Sequence, residues 1–263
     1  MTAASPLRVP VLMYHEIADA ADTPSALAVS PDVFAGHLAY LRDAGFSTVT
    51  AGQLSAFLAD GTGTLPERPV VLTFDDGYGD FYTQALPLLK RNGFSATLFQ
   101  TTGWVGKEDE AIRMMNWREL AEAEQAGIEI GAHTCTHPQL DQLPDDALYE
   151  ELYASKSALE DNLGLKIPGL AYPYGYSNAK VRQLARDLGH DYAYAVGNAL
   201  SSSEADPFAI PRLTVRRTTP MGDFQEMVNG RDTPTLRRAR VLTSGYSVVR
   251  RARSALRARH GQA

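Results

Sequence analysis

Val70-Val71-Leu72-Thr73-Phe74-Asp75-Asp76-Gly77 is the stretch that decides how the rest of this chain is read. Its apolar half, rich in β-branched residues, predicts a buried strand that stops at two adjacent carboxylates and a glycine. Two like charges this close do not both stay ionised without a cation or a strong donor to compensate. The doublet therefore points to a metal ligand or to a divided acid/base role. Asp-Gly after a strand is also ordinary turn chemistry, so this segment alone supports both readings.

Downstream, His133-Thr134-Cys135-Thr136-His137 follows the apolar segment Ile128-Glu129-Ile130-Gly131-Ala132. Two imidazoles four positions apart face one way on a helical turn. A divalent ion held by two His and one carboxylate keeps positions open for water and substrate, as hydrolysis requires. The alternative is a pair of polar loop residues. Against it stands the conjunction of a His pair with a carboxylate pair, each ending a predicted strand. Cys135 is the one cysteine among 263 residues, which excludes an internal disulfide. At i+2 from His133 it is expected to point away from the imidazole face rather than serve as ligand or nucleophile.

Thr73-Phe74-Asp75-Asp76-Gly77, His133-Thr134-Cys135-Thr136-His137 and Tyr172-Pro173-Tyr174-Gly175 together resemble, in order and spacing, three motifs of the polysaccharide deacetylase (NodB-like carbohydrate esterase) family. The resemblance covers about residues 8 to 230. It implies a metal-dependent hydrolase on a distorted β/α barrel that removes N-acetyl groups from amino sugars. It assigns Asp75 as general base, Asp76, His133 and His137 as metal ligands, and the backbone N–H of Tyr174 as an oxyanion donor. The implied cofactor is a divalent metal, zinc by default, with cobalt, nickel or iron fitting the same nitrogen and oxygen donors.

Two departures from the family pattern stand out. Ala171 occupies the position, three before Tyr174, where an Arg would orient the base, and no late Leu-x-His supplies the acid. Of the six histidines, His15 closes the strand-like run Val9 to His15 and is the candidate general acid. For the base partner, Arg212 in Ile210-Pro211-Arg212-Leu213-Thr214-Val215 is favoured, because a guanidinium fork pairs a carboxylate through two bonds; Arg216 is the alternative. Tyr78 and Trp104 are candidate groove aromatics.

Strand-like and helix-like segments alternate throughout, so the fold class is α/β. We expect one distorted barrel of seven or eight β/α units over residues 1–230, with active-site residues at the C-terminal strand ends. Residues 231–263 carry nine Arg against the single acid Asp232, a basic tail expected to be either an amphipathic helix or a disordered, solvated segment. Expected partners are an N-acetylated glycan and, through the tail, an anionic membrane surface; nucleic acid is not expected. With no apolar run long enough to span a bilayer, the expected location is cytoplasmic, with peripheral attachment at the inner membrane face. Two other functions stay open: a carbohydrate-binding or scaffold protein that has lost catalysis, and a hydrolase of another linear amide.

Overall fold

The computed structural model describes residues 7–61, 63–109 and 112–241. Strand β1 (Arg8–Val9) and β2 (Val11–Tyr14) lead into helix α1 (Pro31–Asp43), which Ser30 caps by accepting from Val33 N–H with Pro31 in the first turn. Short β3 (Ser47–Thr48) and α2 (Ala51–Asp60) follow, the latter begun by a reciprocal Thr50/Gln53 capping box. Then comes β4 (Pro69–Asp76), buried along its whole length. The pattern continues through α3 (Leu86–Asn92), β5 (Ala96–Gln100), α4 (Trp117–Gln125), β6 (Ile128–Ala132), α5 (Asp145–Leu163), β7 (Gly169–Ala171), α6 (Ala179–Asp187) and β8 (Tyr192–Tyr194). Strands β9 (Ser201–Ser202) and β10 (Leu213–Thr214) and helix α7 (Met221–Val228) complete the series.

The strands form one parallel sheet in the order β10-β2-β4-β5-β6-β7-β8, with β3 beside β4 and a separate antiparallel β1-β9 pair. Closure comes from the segment 210–214. Its first residue bridges β8, with Ile210 N–H donating to Ala193 O (3.0 Å) and Ala195 N–H to Ile210 O (2.8 Å), while Leu213 and Thr214 pair with Leu12 and Met13. The barrel is distorted where β6 meets β7, which share only the Ala132/Leu170 pair.

Strand alternation sorts the side chains into two layers. Leu12, Tyr14, Leu72, Phe74, Leu98 and Leu213 face outward into the main core beneath the helices. Val11, Val71, Phe99, Ala171, Tyr194 and Ile210 form a second, interior cluster. Alternation along β4 from Val71 brings Thr73 and Asp75 to the same interior, stacked toward the mouth.

Helix α7 is absent from the sequence expectation. Its N-terminus has Pro220 and no side-chain cap, so the usual start signal is missing. The expected boundary after residue 230 also differs from the observed packing: residues 234–241 are helical and Leu236 is buried in the main core. The remainder of the expected basic tail, 242–263, lies outside the described residues. No helix among the described residues is long and apolar enough to cross a membrane.

Candidate metal centre and active site

Asp75 and Asp76 end β4, and both line a cavity of about 370 Å³ together with His15, His133, His137 and Arg212. Alternation along an uninterrupted strand points neighbours to opposite faces. Here Asp76 takes a left-handed φ of 74°, and Gly77 follows at φ 91°, so the chain turns sharply at the strand end. A Cβ at Gly77 would lie 1.9 Å from Gln100 Oε1, which requires glycine. The amide of Gln100 holds this turn, donating to Asp76 O (3.1 Å) and Thr101 O (2.8 Å).

The histidine pair is brought together by a different device from the helical turn expected. His133 to His137 is a loop after β6 in which Thr134 (φ 68°) and His137 (φ 62°) are both left-handed. Thr134 Oγ1 accepts from His137 N–H (3.0 Å). Glu151 of α5 clamps the loop from outside, accepting from the N–H groups of Cys135 (2.9 Å) and Thr136 (2.8 Å). Asp76, Thr134, His137 and Tyr174 (φ 59°) are four of the five non-glycine residues with positive φ among the described residues. Each such residue costs on the order of 1 kcal/mol or more, and backbone strain gathered at one site is a mark of function.

Asp76, His133 and His137 each offer a ligand atom, and these atoms lie within 4.8 Å of one another, the single such cluster among the described residues. Asp76 Oδ1 is 3.5 Å from His133 Nε2 and 3.4 Å from His137 Nε2. His133 Nδ1 donates to Ala171 O (2.8 Å), which fixes the neutral ring with Nε2 free to bind. Burial lowers both imidazoles to about 4, so they are neutral, as ligation requires. Burial first, then the charges of Asp75 and Glu16, push the Asp76 carboxyl up to about 8, and its buried Oδ1 has no hydrogen-bond partner. An orphaned carboxylate oxygen aimed between two neutral imidazoles fits a divalent cation.

Asp75 is held differently. Arg212, itself fully buried, donates through Nη1 to Oδ1 (2.6 Å) and through Nη2 to Oδ2 (2.8 Å). The same guanidinium reaches Thr73 Oγ1 (3.2 Å) and Ala195 O (3.3 Å), and lies 5.6 Å from the centroid of Phe99. Burial pushes the Asp75 carboxyl up, but the Arg212 charge, with His133, the Arg212 hydrogen bonds and His15, holds it well below the usual carboxylate range. Arg212, Thr214 and Arg216 line the cavity while Leu213 and Val215 enter the outer core, so both candidate arginines face inward; the pair to Asp75 is made by Arg212.

His15 Nε2 stands 4.0 Å from Asp75 Oδ2, and burial lowers its imidazole to about 4. Tyr174 is half-exposed, its ring 4.7 Å from His137 and stacked on Tyr176 at 5.9 Å. In its tight turn Gly175 N–H is taken by Tyr172 O (2.8 Å), Tyr176 N–H by Pro173 O (3.2 Å), and Pro173 has none to give. Trp104, 5.4 Å from His137, continues the aromatic rim, and Tyr78 hydrogen-bonds the Asp76 side chain. Cys135 carries its carbonyl to Gly103 N–H (2.8 Å) and is absent from the ligand cluster. The sequence reading did not find Glu151 or the αL role of Thr134. Glu151 borders the apolar stripe of α5, three residues after Leu148 and four before Ser155, and nothing in the sequence alone says that its carboxylate turns to the His loop rather than to solvent.

A parallel β/α barrel with an Asp-His-His cluster and an Arg-held carboxylate at its C-terminal mouth defines a metal-centred hydrolase. The family model described as Polysaccharide deacetylase matches residues 62–193, and the chain belongs to that family. YxkH of Bacillus subtilis (strain 168), whose name places it among polysaccharide deacetylases, is 29% identical over 210 residues, covering 80% of this chain and 72% of YxkH. The poly-beta-1,6-N-acetyl-D-glucosamine N-deacetylase of Staphylococcus aureus (strain MSSA476) is 27% identical, and the alignment covers 58% of this chain and 56% of that enzyme. The chain spans 38% of the Escherichia coli (strain K12) enzyme of the same name, at 22% identity over 82% of this chain. Among solved structures, Streptococcus pyogenes deacetylase PplD in complex with acetate superposes with a TM-score of 0.77 at 26% identity, covering 85% of this chain and 99% of PplD. IcaB from Ammonifex degensii gives 0.73 at 27% identity, covering 84% and 96%.

Proposed function

We propose that this chain is a metal-dependent N-deacetylase acting on an N-acetylated amino sugar within a glycan, with a poly-N-acetylglucosamine as the substrate class its relatives' names favour. The observation that carries the reading is the convergence of Asp76, His133 and His137 on one cavity with the Arg212-paired Asp75. In this reading Asp76, His133 and His137 hold the cation, zinc by default with cobalt, nickel or iron as alternatives, and when bound it lowers the pKa of water and polarises the acetyl carbonyl.

The chain's own residues divide the remaining work. Asp75, kept ionised by Arg212, accepts a proton from the attacking water at any pH near neutrality. The N–H of Tyr174 faces the developing oxyanion, in a turn that commits its neighbouring N–H groups elsewhere. His15 delivers the proton to the leaving amine. Because burial keeps its resting imidazole neutral, that proton arrives during the cycle, and Asp75 at 4.0 Å is a source close at hand. The Tyr174 and Trp104 rings offer sugar-stacking faces at the rim.

The reading of a scaffold that has lost catalysis rests on Ala171, and the Arg212–Asp75 pair weighs against it, since Asp75 has a guanidinium partner from another strand. Acetate release from N-acetylglucosamine oligomers by the purified protein, with and without added divalent metals, tests the function. Wild type with metal is expected to release acetate and Asp75→Asn to release none; silence of the metal-loaded wild type on every oligomer would refute the reading. Attachment to an anionic membrane surface rests on the tail's charge alone. Vesicle co-sedimentation with and without residues 242–263 tests it, and equal sedimentation of the two would dismiss it.

A further inference from the structure

Beside the metal cavity lies a second cavity of about 370 Å³ that the proposed chemistry does not use. Residues adjacent in the chain, or separated by one, divide between the two. At the end of β2, His15 faces the first cavity and Glu16 the second; after β4, Asp76 faces the first and Tyr78 the second. Glu16 is only 7% exposed and lines the second cavity; its carbonyl accepts from Val29 N–H (2.9 Å), while its carboxylate makes no hydrogen bond or ion pair among the described residues. Asp80 also lines it, with Oδ1 accepting from Ile17 N–H (3.1 Å), and the exposed Asp19 and Asp22 stand at its rim.

One cation, Arg113, reaches this wall and is already engaged. Its Nη1 donates to both Glu119 oxygens (2.9 Å each) and its Nη2 to Gly79 O (3.1 Å). The Glu16 carboxylate thus lines the cavity with no protein cation or donor on it among the described residues, and a cationic group entering there would complete it with a charge-assisted hydrogen bond. That cation is not a second metal by the geometry, because these acids do not bring three ligand atoms within binding distance among the described residues. The cavity instead has the dimensions and mixed walls of an organic subsite, with Ile17 and Ile112 beside the acids.

We propose that this cavity binds the ammonium group of an already de-N-acetylated sugar unit in the same glycan, with Glu16 as its principal anchor and Asp80 in support. The proposal rests on the glycan reading above. It makes the product of one turnover a recognition element for the next, since a chain lying across both cavities sets one unit at the metal centre and places a free amine at Glu16.

The test is calorimetric binding to the metal-loaded protein of two ligands that cannot be deacetylated: a β-linked glucosamine tetramer and the glucose tetramer of the same linkage. Wild type is expected to bind the amine tetramer about tenfold or more tightly, the discrimination of one charged hydrogen bond. Glu16→Gln should collapse that ratio towards one. Asp80→Asn, which keeps an acceptor for Ile17 N–H, should narrow it severalfold and serves as the reading if Glu16→Gln does not fold. Equal binding of the two tetramers by wild type, or an undiminished ratio in a folded Glu16→Gln, would overturn the proposal. So would a second equivalent of calcium bound by wild type and lost in Glu16→Gln. Because no turnover is needed, selective amine binding by a protein that releases no acetate would refute the deacetylase reading and leave this site standing.

Discussion

The two ends of the barrel both hold a buried or half-buried acid, and they treat it in opposite ways. At the base, Glu129 on β6 is surrounded by donors: Gly52 N–H reaches its oxygens at 3.0 and 3.1 Å, and the Tyr192 hydroxyl donates to Oε1. Nearby, Tyr194 O–H donates to Ala51 O (3.1 Å) and Ala51 N–H to Thr97 Oγ1 (2.8 Å). At the mouth, Asp76 leaves an oxygen unpartnered and Asp75 takes its short hydrogen bonds from one guanidinium, with the His133 and His15 imidazoles about 4 Å away. Regular backbone accompanies the closed network, while left-handed residues accompany the open one. The difference teaches that burial of charge is not itself the sign of a site. The sign is a buried acid whose remaining valence points into a cavity.

The largest break in this comparison is expected from Arg212→Met. It leaves Asp75 buried without its partner, a loss of about 3–5 kcal/mol in unfolding free energy together with loss of acetate release. The matching change at the base, Tyr192→Phe, removes one neutral donor of several and is expected to cost about 1 kcal/mol with turnover retained. Denaturant titration of both variants measures the contrast, and equal costs would erase it.

Metal removal comes next. Chelation should abolish acetate release and lower the melting temperature, and cation at about a hundred times its Kd should restore about 2.7 kcal/mol. Glu129→Gln should keep that response and Asp76→Ala should lose it; a melting temperature indifferent to metal in wild type would count against a mouth built for an ion. His15→Ala then probes the mouth without touching the ligands. Turnover is expected to fall on the order of 10²–10⁴-fold at unchanged metal stoichiometry, and near-wild-type turnover would remove His15 from the proton path.

The last effect, confined to stability, belongs to the base. His190, just before β8, is buried, and burial first, then the Lys156 charge, lowers its imidazole from 6.5 to about 4. Between those values the unfolded chain binds more protons than the folded one. Stability is therefore full above about pH 6.5 and declines as the pH falls towards 4, on the order of 1–3 kcal/mol. Burial lowers His15, His37, His133 and His137 over the same range, so His190→Leu should make that decline shallower without abolishing it, leaving the metal response intact; an unchanged slope in pH-dependent unfolding would contradict it.

Much of the framework was legible because the sequence states it locally. The run Val70 to Asp76 ends in its doublet, and Gly93 and Gly164 follow their helices as left-handed caps. The Asp-His-His grouping followed from residue types and order. What was not legible depends on closure in three dimensions. Arg212 and Arg216 both face the cavity, and only the pairing of 210–214 with β8 and β2 fixes which one meets Asp75. The loop of His133 to His137 was expected as a helical turn because i,i+4 spacing is shared by helices and by this doubly left-handed loop, whose Glu151 clamp comes from a distant helix. Leu236 looked like tail because charge dominates its neighbourhood, although it packs in the core.

The most direct test of the central claim is calorimetric titration of zinc into chelator-stripped protein, beside Asp76→Ala and His133→Ala. One equivalent bound by wild type and no tight equivalent in either variant is the predicted result. Wild type that takes up no zinc, or variants that bind it as wild type does, would contradict a cation seated among Asp76, His133 and His137.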